Sequence, residues 1–253
     1  MPTIKLILEY EGTAYAGWQR QPDQPTIQGA IEAAIVRVTQ IQVPVIGAGR
    51  TDSGVHALGQ VASFRIDREL TPREWTRALN AHLPDDIVVR SATLMPDAFH
   101  ARHSARGKLY EYQILNRPER AAVARHYCWH IHHTLDETAM NEAATHLIGS
   151  HDFSSFQTQP TENEDPICHL QQLAVSREGD RLRIEAYADR FLKQMVRSIV
   201  GTLVEVGLKK RPPESLTSIL NARNRSAAGK TAPPQGLFLV RVDYDGSGPA
   251  PED

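Results

Sequence analysis

Residues 3–10, Thr-Ile-Lys-Leu-Ile-Leu-Glu-Tyr, alternate apolar and polar positions and carry β-branched side chains, the pattern of a half-buried strand. Pro25 and Thr26 then open a helix running to about Thr39, because Ile27, Ala30, Ile31, Ala34, Ile35 and Val38 fall on one face. Residues 43–46 are short and apolar and predict a strand leading into a glycine-rich loop. A further strand is predicted over 60–66, where Val61, Ser63 and Arg65 stand opposite Ala62, Phe64 and Ile66. Thr71-Pro72-Arg73-Glu74 is a helix start, with a cap, an early proline and a glutamate three residues on. That helix is expected to end near Leu83-Pro84, and 86–95 to form another strand.

The same order of elements returns. A strand is predicted over 108–116. Asp136 caps a helix carrying Ala139, Met140, Ala143, Ala144, Leu147 and Ile148, which stops at Gly149. Residues 170–177 and 181–187 read as a hairpin around Glu178-Gly179-Asp180. A long helix is expected over 191–208, with Phe191, Met195, Ile199 and Leu203 in one stripe. A short helix over 213–222 and a strand over 237–244 complete the chain.

The fold class is therefore α+β. Two similar ferredoxin-like (RRM-like) βαββαβ halves are expected, with largely antiparallel sheets and helices packed on one side. The N-terminal half spans 1–104 and the C-terminal half 105–245, with 246–253 as a flexible tail. Residues 157–166 and 223–235 read as surface loops.

Composition narrows the class only a little. The 253 residues are 41% hydrophobic and 23% charged, which suits a globular chain with a sizeable core. A net charge of −2 advertises no nucleic acid, although local patches matter more than the sum. The two cysteines, Cys128 and Cys168, form no disulfide framework, and no apolar run reaches membrane-spanning length. The N-terminus reads as a strand rather than a signal peptide, so a cytoplasmic location is expected.

The chemistry concentrates in residues 47–56, Gly-Ala-Gly-Arg-Thr-Asp-Ser-Gly-Val-His. The spacing from Gly49 to Gly54 fits a phosphate loop, but Val55 and His56 stand where Lys and Ser/Thr are required. A dinucleotide turn starting at Gly47 needs glycine at position 52, where Asp52 is found. What this loop offers is a carboxylate, either presented to a ligand or capping local amides in a tight turn.

Other candidates surround it. Arg197 shares a helix face with Lys193 beside an apolar stripe; it either meets a carboxylate, for which Asp52 is available, or lies at the rim in solvent. Tyr110 and Tyr112 point to one side of a strand, to stack on unpaired bases or to fill a sheet core. Basic residues gather as Arg102, Arg106 and Lys108, as Arg190, Lys193 and Arg197, and as Lys209, Lys210 and Arg211. The histidines, among them His100, His103, His130, His132 and His133, come without HExxH or paired CxxC, so no metal is assigned. No Gly-x-Ser-x-Gly elbow is present.

Taken in order, several motifs resemble the tRNA pseudouridine synthase A family. They are Tyr10-Glu11-Gly12-Thr13, Gly17-Trp18-Gln19-Arg20-Gln21, Thr26-Ile27-Gln28-Gly29 and Gly49 to Ala57. Phe99-His100-Ala101-Arg102, Tyr110-Glu111-Tyr112, Asp152-Phe153, Ser155-Phe156, the stretch around Met195-Val196-Arg197, and Pro234 to Tyr244 follow. Glu11 stands where the family usually has Asp, Ser53 where Ala is usual, and His103 where an aromatic is common; residues 157–169 lack the usual basic, Trp-containing character.

The resemblance implies an isomerase that converts uridine to pseudouridine at positions 38, 39 and 40 of the tRNA anticodon arm. It implies no cofactor, no DNA or membrane partner, and a homodimer with tRNA bound across both subunits. It makes Asp52 the nucleophile, attacking either C6 of the base or C1′ of the ribose. Arg197 becomes the candidate ion-pair partner of Asp52, Arg50 a residue that meets RNA phosphate or helps extrude the nucleotide, and Tyr110 the ring that stacks on the extruded uracil. Two other classes compete: an inert RNA-binding module with two RRM-like halves, and a metal-dependent hydrolase using the histidines.

Overall fold

The structure, a computed structural model, describes residues 1–158 and 165–245. The expected tail 246–253 lies outside the described residues, as does most of the expected loop 157–166. The chain forms two compact units, residues 1–106 with the chain from Phe238 onward, and Gly107–Leu237. Among the described residues the elements run β1 (Thr3–Tyr10), α1 (Ile27–Thr39), β2 (Ile46–Gly47), β3 (His56–Arg65), α2 (Pro72–Asn80) and β4 (Ile87–Met95). They continue through β5 (Ala105–Asn116), β6 (Trp129–Ile131), α3 (Glu137–Thr145), β7 (Gly149–Asp152), β8 (Ile167–Glu178) and β9 (Arg181–Ala188). They end with α4 (Met195–Gly207), α5 (Ser215–Ala222) and β10 (Leu237–Tyr244).

In the first unit β1 lies between β4 and β3 and is antiparallel to both. Its alternation is the reason: Ile4, Leu6 and Leu8 are fully buried, while Lys5, Ile7 and Glu9 are less so. The buried stripe of α1, with Ile27, Ile31 and Ile35, adds to the same core. Thr26 caps α1 by accepting from the Gly29 amide. Thr71 and Glu74 form the expected capping box on α2. That helix stops at Asn80, short of Leu83-Pro84. The Asn80 side chain turns away to bond both the amide and the carbonyl of Val89, at 2.7 and 2.9 Å.

Two strands depart from the sequence pattern. Over 43–46 only Ile46 pairs, extending into Gly47. Pro44 has no N–H, and the Val45 amide goes to Glu32 Oε1 at 3.1 Å. β3 begins at His56, four residues before the pattern suggests. β10 runs parallel to it there, with Phe238 opposite His56 and Leu239 opposite Ala57, and no local periodicity encodes such a long-range pairing. β1 and β3 also slip register between Leu8↔Gln60 and Tyr10↔Ala57, a bulge just after the glycine loop.

In the second unit the strands lie in the order β5-β9-β8-β7, all antiparallel, with β6 parallel to β5. Asn141 on α3 bonds the carbonyl and amide of Val175 at 2.7 and 2.8 Å, the same device that Asn80 uses in the first unit. α4 starts at Met195, not at 191, because Gln194 takes the left-handed conformation with φ +59. α3 ends at Thr145, and Gly149 turns with φ +113 into β7. β6 and β7 are too short to leave a periodic signal.

Candidate active site

The Asp52 loop is held from below by buried polar groups. The amide of Trp18 donates to Thr51 O at 3.0 Å, and Tyr10 Oη meets Thr51 Oγ1 at 2.8 Å. Gln60, fully buried, donates to Gly49 O at 2.8 Å. His56 is 1% exposed; its Nδ1 accepts from the Gly12 amide at 3.1 Å while its ring stacks on Phe238. Burial pushes the Tyr10 hydroxyl up to about 12, so it stays a neutral hydrogen-bonding group.

Glycines bring neighbouring chain close to the loop. A Cβ on Gly12 would collide with the Val55 carbonyl, and one on Gly17 would stand 2.7 Å from Thr51 O. Gly54, at φ +76, lets the Val55 amide return to Asp52 O at 3.2 Å. Ser53 Oγ donates to Tyr15 O at 3.0 Å. The result is a fixed turn with Thr51 buried, Asp52 half-buried, and Ser53 and Arg50 exposed. A half-buried carboxylate on a backbone pinned at both ends can meet a ligand with little reorganisation.

In the second unit β5 points Tyr110 and Tyr112 into buried surroundings. Tyr112 is a core residue: it is fully buried and its hydroxyl donates to Pro233 O at 2.7 Å. Burial raises its pKa, with Arg197 opposing. Tyr110 has Phe191 edge-on at 5.1 Å between ring centroids. Arg197 is half-buried, and its Nε donates to Ala232 O at 2.8 Å. Arg50 and Asp52 thus belong to the first unit, and Tyr110 and Arg197 to the second.

The sequence gave no holding role to Tyr10, Thr51 and His56, although they lie in the quoted motifs, nor to Gln60 or the segment 223–235. The latter reads as a surface loop from its small and polar residues. Arg223, Asn224, Ser226 and Lys230 are indeed exposed, but Ala228, Gly229 and Ala232 are buried. Small side chains mark a close approach to another element as readily as they mark solvent. The signals that could have found these residues were the glycines at 12, 17, 201 and 229.

Other clusters are engaged differently from their sequence appearance. Arg106 forms a bidentate pair with Asp245, Lys209 lies 3.7 Å from Asp136, and Arg211 pairs with Glu205. The rings of His100 and His103 lie 4.2 Å apart, and those of His132 and His133 3.9 Å apart. Among the described residues no three His, Cys, Asp or Glu side chains converge as a metal-binding set, and no helix is long and apolar enough to cross a membrane.

Comparison with known proteins follows the same residues. A family model described as tRNA pseudouridine synthase matches residues 6–104 and 143–245. A tRNA pseudouridine synthase A of Rhodopseudomonas palustris is 48% identical over 97% of this chain and 100% of its own length. Proteins of the same name from Allorhizobium ampelinum and a Thermoanaerobacter species are each 45% identical, over 98% and 96% of this chain.

Proposed function

The chain belongs to the tRNA pseudouridine synthase family, and from that premise we propose that it isomerises uridine to pseudouridine at positions 38, 39 and 40 of the tRNA anticodon arm. The observation that carries this reading is the match of one family across both units, at 45–48% identity and nearly full length. The clamped turn under Asp52 supports it from the chemical side.

In this reading Asp52 is the nucleophile, attacking C6 of the base or C1′ of the ribose. The N1–C1′ bond breaks, the base turns over, and C5 joins C1′. N1 gains a proton and C5 loses one, so the sum is an isomerisation that consumes nothing. The reaction requires Asp52 to be ionised in a site that excludes water, and a guanidinium nearby favours that state. Arg197 fills this role. Arg50, exposed on the loop, meets a phosphate or helps extrude the nucleotide. Extrusion costs roughly a few kcal/mol of lost stacking, which the Tyr110 ring offsets by stacking on the uracil.

The wider reading keeps two ferredoxin-like halves, supported by the β-α-β-β-α-β order from β1 to β4, a cytoplasmic homodimer, and tRNA as the partner. A dimer cleft can be basic although the chain carries a net charge of −2.

The test is tritium release from tRNA labelled at uridine C5, because forming the new bond must expel that hydrogen. The protein should release tritium from anticodon-arm uridines. An Asp52→Asn protein should bind the same tRNA and release none. Release that survives the substitution, or that depends on added zinc, would overturn the assignment.

A further inference from the structure

A short segment holds both the main chain and the side chain of Arg197. The Ala232 amide donates to Arg197 O at 3.0 Å, and Arg197 Nε donates back to Ala232 O at 2.8 Å. One residue thus grips both the main chain and the side chain of another. With Nε committed to the Ala232 carbonyl, the plane of the guanidinium is tied to the segment.

The grip depends on how closely the segment runs along α4. A Cβ on Gly201, one turn after Arg197, would collide with the Lys230 carbonyl. A Cβ on Gly229 would lie 2.9 Å from both the Glu205 carboxyl carbon and Thr202 Cα. The Gly229 amide donates to Thr202 Oγ1 at 2.9 Å, and Tyr112 holds Pro233 beyond the grip. Arg225 closes the segment on itself, with Nη1 on Gly229 O at 2.9 Å and Nη2 on Thr231 Oγ1 at 2.8 Å, next to Ala232.

We propose that residues 225–236 form a strap that sets the rotamer of Arg197, with Arg225 and Gly201 as positioning residues for the isomerisation. The Arg225 guanidinium bonds Gly229 and Thr231. It holds the two strap residues from which the Ala232 carbonyl is aimed. The proposal rests on the reading that Arg197 serves Asp52, and the experiment separates the two.

The measurement is single-turnover tritium release with excess full-length protein. It gives a rate for the chemical step and an amplitude for the fraction of competent protein; tRNA affinity is measured alongside. Arg225→Met should keep the amplitude and leave tRNA affinity within about threefold, while slowing release roughly tenfold to a hundredfold, the scale of a misplacement of about 1 Å. Arg225→Lys, which can still reach Gly229 O, should recover part of the rate. On an Arg197→Met background, Arg225→Met should cost nothing more, because a group acting only through Arg197 has nothing left to aim. Reduced amplitude at an unchanged rate would make the strap a stability element and overturn the proposal, as would additive rate losses. An Arg197→Met protein with normal release would instead refute the role of Arg197 and leave the fold of the strap untouched.

Discussion

Gly17 and Thr51 lie closer than any other residue at position 17 would allow. Gly17 has φ +102, and a Cβ there would stand 2.7 Å from Thr51 O and 3.1 Å from the Asp52 carbonyl carbon. The neighbouring Trp18 amide bonds that same Thr51 oxygen. Gly17→Ala is therefore strained in its backbone and in its contacts. It should lose about 1–3 kcal/mol of stability and slow tritium release even below its melting temperature, because the clash falls on the backbone of the Asp52 turn. Urea unfolding and release assays on the same preparation check this. A destabilised protein with a normal rate per folded molecule would show that the turn tolerates displacement.

The hydroxyls of Tyr10 and Ser53, which anchor the Asp52 turn through Thr51 and through Tyr15, should behave differently. Tyr10 Oη is buried and serves Thr51, so Tyr10→Phe leaves a buried hydroxyl short of a partner and should cost about 1–3 kcal/mol. Ser53 is exposed, and Ser53→Ala should stay within about 0.5 kcal/mol with nearly unchanged activity. Equal losses from both, in urea unfolding, would mean that the Ser53–Tyr15 bond anchors the loop as firmly as the buried one does.

The sequence announced the parts of this fold that depend on local periodicity. β1, α1, the β8–β9 hairpin and β10 follow their alternation or helical stripes, and the capping box at Thr71 stands where its residues put it. Two of the departures trace to a partner outside the element itself. β3 starts at His56 because β10 lies beside it, and α2 ends where Asn80 reaches Val89. At the site the contrast is the same. Asp52, Tyr110 and Arg197 stand out as candidates from their motifs. The groups that hold them do not, because a hydrogen bond between Tyr10 and Thr51 or from Arg197 to Ala232 leaves no periodic trace.

His100 should make stability depend on pH. Its Nδ1 accepts from the amides of Arg102 and His103, each at 3.2 Å. Burial first, then the His103 ring and the Arg65 and Arg102 guanidiniums, holds its pKa below the ordinary 6.5. The native state therefore binds fewer protons than the unfolded chain as pH falls below about 6.5. The stabilisation is complete above that pH and is lost as pH falls through the depressed native value. His100→Asn keeps an acceptor near the Nδ1 position but cannot titrate there. Its melting temperature should fall less than that of the unsubstituted protein between pH 6.5 and pH 5. Parallel curves would assign the acid sensitivity to other groups.

Tyr110 offers a direct test of stacking, because its ring and its hydroxyl can be removed separately. Phe191 meets the ring edge-on, and Tyr110→Phe preserves that contact. If the ring stacks on an extruded uracil, Tyr110→Phe should bind tRNA as the unsubstituted protein does. Tyr110→Ala should lose about 1–3 kcal/mol of stacking, or roughly fivefold to 150-fold in Kd. A hydroxyl that helps take the C5 proton would appear as a lower single-turnover rate in Tyr110→Phe at unchanged affinity. Filter binding and tritium release on the two variants decide between these roles. Undiminished tRNA affinity in Tyr110→Ala would remove stacking from the mechanism.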